Sequence, residues 1–161
     1  MKKNIAVITI LICFSILLSC VGKGSYYDQF SKAKPFSTRV LDLNKTIDEI
    51  RLEEKGNLVK EDLYFLKYAY EVGDDDSYTV TYAFDEKGCY EVGIDAYFGL
   101  EKDAINVVEG IKSEMNTANF GELIENNELC RWNNKSGAIS IELDYQKTAR
   151  GEFIATIFAN E

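Results

Sequence analysis

The sequence predicts an α+β fold, with an antiparallel sheet of about six strands and two helices. Three observations predict it. Between Glu101 and Ala118, the residues Ala104, Val107, Val108, Ile111, Met115 and Ala118 fall on one helical stripe. Between Leu63 and Phe98, three runs rich in Tyr, Val and Thr alternate apolar with polar residues, parted by "GDDDS" and "DEKG". From Glu122 to Ala159 the alternation returns, with "NNKSG" and "KTARG" as turns.

Taken in order, the first helix falls at Asn44–Lys55. Thr46 and Glu49 have capping-box spacing, Ile47 and Ile50 lie three apart, and Gly56 suits a stop. Strands follow at Leu63–Val72, Tyr78–Phe84 and Cys89–Phe98. The second helix runs from Glu101 to Ala118 and Gly121 ends it. Three further strands fall at Glu122–Trp132, Ala138–Tyr145 and Glu152–Ala159. Helix then three strands, twice, allows a tandem α-β-β-β repeat. Such a repeat would share its layout with secreted β-lactamase inhibitor proteins and small envelope assembly lipoproteins, a likeness of layout alone.

The amino terminus carries a separate message. Lys2 and Lys3 precede an apolar run from Ile5 to Leu18, broken only by Thr9 and Ser15. About 14 residues fall short of the roughly 20 that a spanning helix needs, so the run reads as a secretory signal. It closes on Leu17-Leu18-Ser19-Cys20, which resembles the lipobox of bacterial lipoproteins. The resemblance covers residues 1–20. It implies that Cys20 receives a diacylglycerol, that cleavage falls before it, and that fatty acyl chains such as palmitate hold the protein to a membrane. Acyl chains add about 0.8 kcal/mol per buried CH₂, enough for stable anchoring when two or three are present. Val21 rather than Asp follows, so the resemblance carries no inner-membrane retention signal. The expected location is the cell envelope, on the exported side, with an outer membrane left open. Residues 1–19 are read as the signal peptide, 20–40 as the lipidated cysteine with a tether, and 41–161 as a single domain. Gly, Ser and Lys recur in 21–40 without periodicity, and the only proline, Pro35, lies there.

Composition narrows the chemistry. Loss of Lys2 and Lys3 leaves 16 basic against 27 acidic side chains, a charge of −11. So acidic a chain repels nucleic acid phosphates and anionic headgroups. It contains no histidine, the usual general base near neutral pH and the commonest metal ligand. Ser-His-Asp and Cys-His hydrolases are thereby excluded. Carboxylate chemistry survives, and Asp95 and Asp144 are the equivalently placed pair, each at the end of a strand's apolar alternation.

Of the remaining cysteines, Cys13 leaves with the signal. Cys89 and Cys130 stay, and an exported chain with two thiols permits one disulfide or two free thiols. Strand parity places Cys89 with Glu91 and Asp95, opposite Tyr90, Val92 and Ile94. Asp74-Asp75-Asp76 offers oxygen ligands, but "DDDSYTVTYAFD" lacks the EF-hand arrangement, so it reads as a solvated turn and no metal or cofactor is expected. Tyr64, Leu66, Tyr68 and Tyr70 share one face. If Tyr70 lies opposite Tyr78, then Tyr78, Val80, Tyr82 and Phe84 join it, and this face reads as core. Trp132 reads as core or core edge. The expected function is a lipid-anchored, non-catalytic binding or assembly module whose partner, another protein or a ligand, the sequence does not identify. The alternative is a carboxylate-dependent hydrolase of an envelope polymer.

Overall fold

A computed structural model describes residues 24–73, 75–147 and 150–160. The chain opens with three short helical pieces: α1 (Tyr26–Ser31), a 3-10 helix (Ser37–Asp42) and α2 (Ile47–Glu53). A meander follows: β1 (Asn57–Glu61), β2 (Phe65–Val72), β3 (Asp76–Asp85) and β4 (Gly88–Phe98). Helix α3 (Glu101–Thr117) then carries the chain to a second meander. Its strands are β5 (Leu123–Asn126), β6 (Leu129–Asn133), β7 (Ile139–Lys147) and β8 (Gly151–Ala159). All pairings are antiparallel, in the order β1-β2-β3-β4-β8-β7-β6-β5.

Helices and an antiparallel sheet therefore make up the fold, but the expected count of elements is wrong. Among the described residues, eight strands replace six and four helical pieces replace two. Strand β1 is exposed along its whole length, so no apolar alternation marks it. The predicted strand Glu122–Trp132 is a hairpin, β5–β6, turned by Asn127 at a φ of 55° without any glycine. The α-β-β-β repeat does not hold either. Each meander has four strands, and one is preceded by three short helical pieces while the other follows a single 17-residue helix.

The stretch read as a tether is part of the fold from Ser25 onward. Ser25 and Asp28 form a capping box for α1, and Phe30, Phe36 and Arg39 are buried. Six-residue helices are too short for periodicity to reveal. Tyr27 of α1 lies flat on α3 at Gly110, where a Cβ would sit 2.1 Å from the ring. Any larger residue there would lift α1 off.

The core lies between the helices and one face of the sheet. Leu66, Tyr68, Tyr70 and Val72 of β2 face Tyr78, Val80, Tyr82 and Phe84 of β3. Tyr70 is paired with Tyr78 as expected, and their rings stack at 4.7 Å. Tyr64 is the exception, exposed just before β2. Gly56 leaves room for this stack, since a Cβ would meet the Tyr70 ring at 2.5 Å. On the far half, Val107, Ile111 and Met115 of α3 are fully buried with Trp132, Ile141, Leu143 and Ile157. Each such side chain contributes about 1.5–3 kcal/mol by leaving water.

Candidate interaction face

All the buried strand positions but Gly88 and Ser140 have the parity of the helix-covered face, and among the described residues no helix covers the other face. Its composition follows from the register. Lys67, Thr81, Gly93, Thr156, Glu142 and Arg131 stand side by side across six strands. The adjacent row is Ala69, Thr79, Asp95, Ile154, Asp144 and Leu129. The middle of the sheet is thus floored by Ala, Thr and Gly, with Gly93 adding no side chain at all. Above this low floor stand Tyr97, 54% exposed, and Ile154, 48% exposed.

The face is acidic. Glu71, Glu91, Asp95, Glu142, Asp144 and Glu152 oppose Lys60, Lys67 and Arg131. Lys67 reaches Asp95 at 3.7 Å and Arg131 reaches Glu142 at 2.5 Å. Asp95 also accepts a hydrogen bond from Thr79 Oγ1 at 3.4 Å. Asp95 and Asp144 share a row with Ile154 between them, about 10 Å apart by strand spacing. Both stand on the open surface, Asp95 half-buried and Asp144 exposed.

The covered side holds a denser polar cluster. Arg39, 1% exposed, donates from Nη1 to Tyr82 Oη at 2.7 Å and to Glu54 Oε1 at 3.1 Å. The Tyr82 hydroxyl lies 2.6 Å from Glu54 Oε1 and 3.1 Å from Asp42 Oδ2. Lys34 and Lys45 close on Asp42 from the rim at 2.6 and 2.9 Å, and Tyr70 donates to Glu54. Burial pushes the Tyr82 phenol far above its ordinary range. Burial alone would lower the Arg39 guanidinium, but Tyr82 and Glu54 beside it raise it overall. Arg39 Nη2 and Tyr68 Oη are buried without a hydrogen-bond partner. Its centre of Arg39, Asp42 and Glu54 is sealed from solvent, with Lys34 and Lys45 at the rim.

The cysteines do not form the bridge that the sequence permits. Both are free and buried. The row Ile94, Ala155, Leu143, Cys130 puts Cys130 three strands from β4, and Cys89 lies five residues along β4 from Ile94. That separates them by about 14 Å across and 16 Å along the sheet, far beyond disulfide reach. Parity also misplaced Cys89. A bulge between Ala83 and Phe84 pairs Cys89 with Phe84 and Glu91 with Ala83, which turns Cys89 inward and Tyr90 outward. Burial pushes the Cys89 thiol up to about 12 and raises Cys130, which Lys112 partly offsets. Cys130 lines a hollow of about 230 Å³ beneath α3, where Lys112 bridges Glu109 at 3.0 Å and Glu125 at 2.8 Å.

Asp76 accepts from the Gly99 N–H at 2.7 Å, so the acidic loop ties the β2–β3 turn to the end of β4. Asp74 and the lipobox with Cys20 lie outside the described residues. Among the described residues no three or more acidic or cysteine side chains are grouped to hold a metal, and no helix is long and apolar enough to cross a membrane. The chain matches no protein-family model, no curated protein and no solved structure.

Proposed function

We propose that this is a lipid-anchored envelope module that binds a partner protein through the open face of its sheet and performs no catalysis. The observation that carries the reading is the uncovered six-strand surface. Helices pack against only one side, while Tyr97 and Ile154 stand exposed on the other above a floor of small residues. Exposed aromatic and aliphatic side chains on a rigid sheet suit protein contact, and the acid excess selects a neutral or basic partner. Cys20 supplies the membrane link through its acyl chains.

Two experiments test the halves of this reading. Cys20→Ala should abolish lipid labelling and either release the protein or leave it as an unprocessed precursor. Retention of fully processed C20A protein in membranes would end the anchor assignment. A photo-crosslinking residue at Thr156, on the open face, should capture one discrete partner in intact cells, and the same probe at Asn116 on α3 should not. Equal capture at both sites would remove the open face from the account.

A further inference from the structure

The start of the fold sits very close in sequence to the proposed lipid site, and it is firmly held. The Tyr27 N–H donates to Asn106 Oδ1 at 3.1 Å, its ring fills the notch at Gly110, and its hydroxyl donates to Glu114. Tyr26 packs edge-on against Phe98 at 6.2 Å, and its hydroxyl lies 3.3 Å from where a Gly73 Cβ would be. These contacts place the first turn of α1 at one end of the strands. The β2–β3 turn, the end of β4 and the first turn of α3 meet there. Leu100, 52% exposed, lies at the same end. Ser25 follows Cys20 by five residues, and five residues span at most about 18 Å when fully extended.

We infer that the domain is seated directly on the bilayer surface, with the β2–β3 turn and the β4–α3 corner facing the headgroups. This rests on the reading of Cys20 as the lipid site. A chain of this reach cannot let the domain swing freely, because α1 is fixed to α3 and not to a flexible spacer. The exposed Leu100 meets the interface, where apolar side chains are favoured. Asp75 and Asp76 face the same surface, so a zwitterionic bilayer is preferred over an anionic one. The strands then stand upright, and the open face of the sheet is turned sideways toward neighbours on the same membrane.

The test uses the full lipidated chain in zwitterionic phosphatidylethanolamine–phosphatidylcholine vesicles carrying an acceptor dye on a headgroup. Donor dyes go on Asp75→Cys or Lys87→Cys, both exposed, while Cys89 and Cys130 are shielded by burial. Strand β3 separates the two positions by about 30 Å, so energy transfer at position 75 should exceed that at 87 about threefold. Inserting about 20 Gly/Ser residues after Val21 should then equalise the two, since such a flexible linker has a comparable span. Equal transfer in the unmodified chain would overturn the seat while leaving the anchor standing. An undiminished ratio after insertion would show that the surface adheres without the short link, and would overturn the proposed cause. Vesicles that float without bound protein would take down the anchor reading itself, and the seat with it.

Discussion

The two halves of the core are built on different chemistry. Under β2 and β3 the cover is three short helical pieces, and the interior holds Arg39, Asp42, Glu54 and four tyrosines. Under β8, β7 and β6 the cover is one long helix, and the interior is Val107, Ile111, Met115, Trp132, Ile141 and Leu143. A long amphipathic helix presents a continuous apolar stripe and satisfies its own backbone. Short pieces have proportionally more ends, and each end brings polar groups that need partners. The tyrosine hydroxyls of β2 and β3 meet that need from the sheet side. One half is held by apolar fit and the other by directed hydrogen bonds, so the two should fail in different ways.

The largest expected effect is in the polar half. Arg39→Ala removes the buried cation paired with Glu54, at a cost of about 3–5 kcal/mol in denaturant unfolding, while Asp42 keeps Lys34 and Lys45. A loss no greater than that of an exposed residue would mean the cluster bears no load. In the apolar half, Ile111→Ala should cost about 3 kcal/mol through lost burial and the cavity left behind. Tyr82→Phe keeps the ring and removes only the hydroxyl shared by Arg39 and Glu54, with an expected loss of about 1–3 kcal/mol.

The same hydroxyl gives a pH signature. Tyr82 has its pKa raised by burial, so its contribution is complete below the ordinary phenol value near 10 and is lost as pH rises above it. Cys89, raised from its ordinary value to about 12, begins to lose its share a unit lower, from about 9 upward. Near-ultraviolet dichroism of the tyrosines should therefore collapse in strong alkali before the Trp132 signal does, and simultaneous loss would deny the distinction. The smallest effect expected is at the rim of the apolar half. Lys112→Ala should cost about 1 kcal/mol, since its partners are half-exposed and screened. That still exceeds the near-zero change its place off the apolar stripe suggests.

The difference between the halves also explains what could be read from the residues. Helix α3 was legible to within a residue because its stripe repeats over four turns. The Tyr70–Tyr78 register was legible because aromatics alternate on both strands and a short turn joins them. The polar half hid its cover. Arg39 reads as a surface residue in any sequence, and only the fold shows that two carboxylates and a phenol surround it. The bulge that reverses Cys89 and Tyr90 leaves no mark in the pattern, because a single extra residue shifts parity silently. Strand β1 has no buried side to alternate against. For the open face, the row of Asp95, Ile154 and Asp144 was half legible. The two aspartates stood out as an equivalent pair, but the isoleucine between them belongs to a strand from the far end of the chain.

The notch at Gly110 has a mechanical consequence. A pull on the amino terminus loads α1 first, through the Tyr27 ring in the notch, its bonds to Asn106 and Glu114, and Tyr26 against Phe98. That force acts at the edge of the contact and peels it open one group at a time. The pull next meets Phe30 of the same helix, packed on Tyr78 and Phe153, and then Phe36 in the core. Helix α1 is thus a fuse. It yields about a dozen residues of extra reach under strain, at roughly 3.3 Å each, while the eight-stranded sheet stays intact.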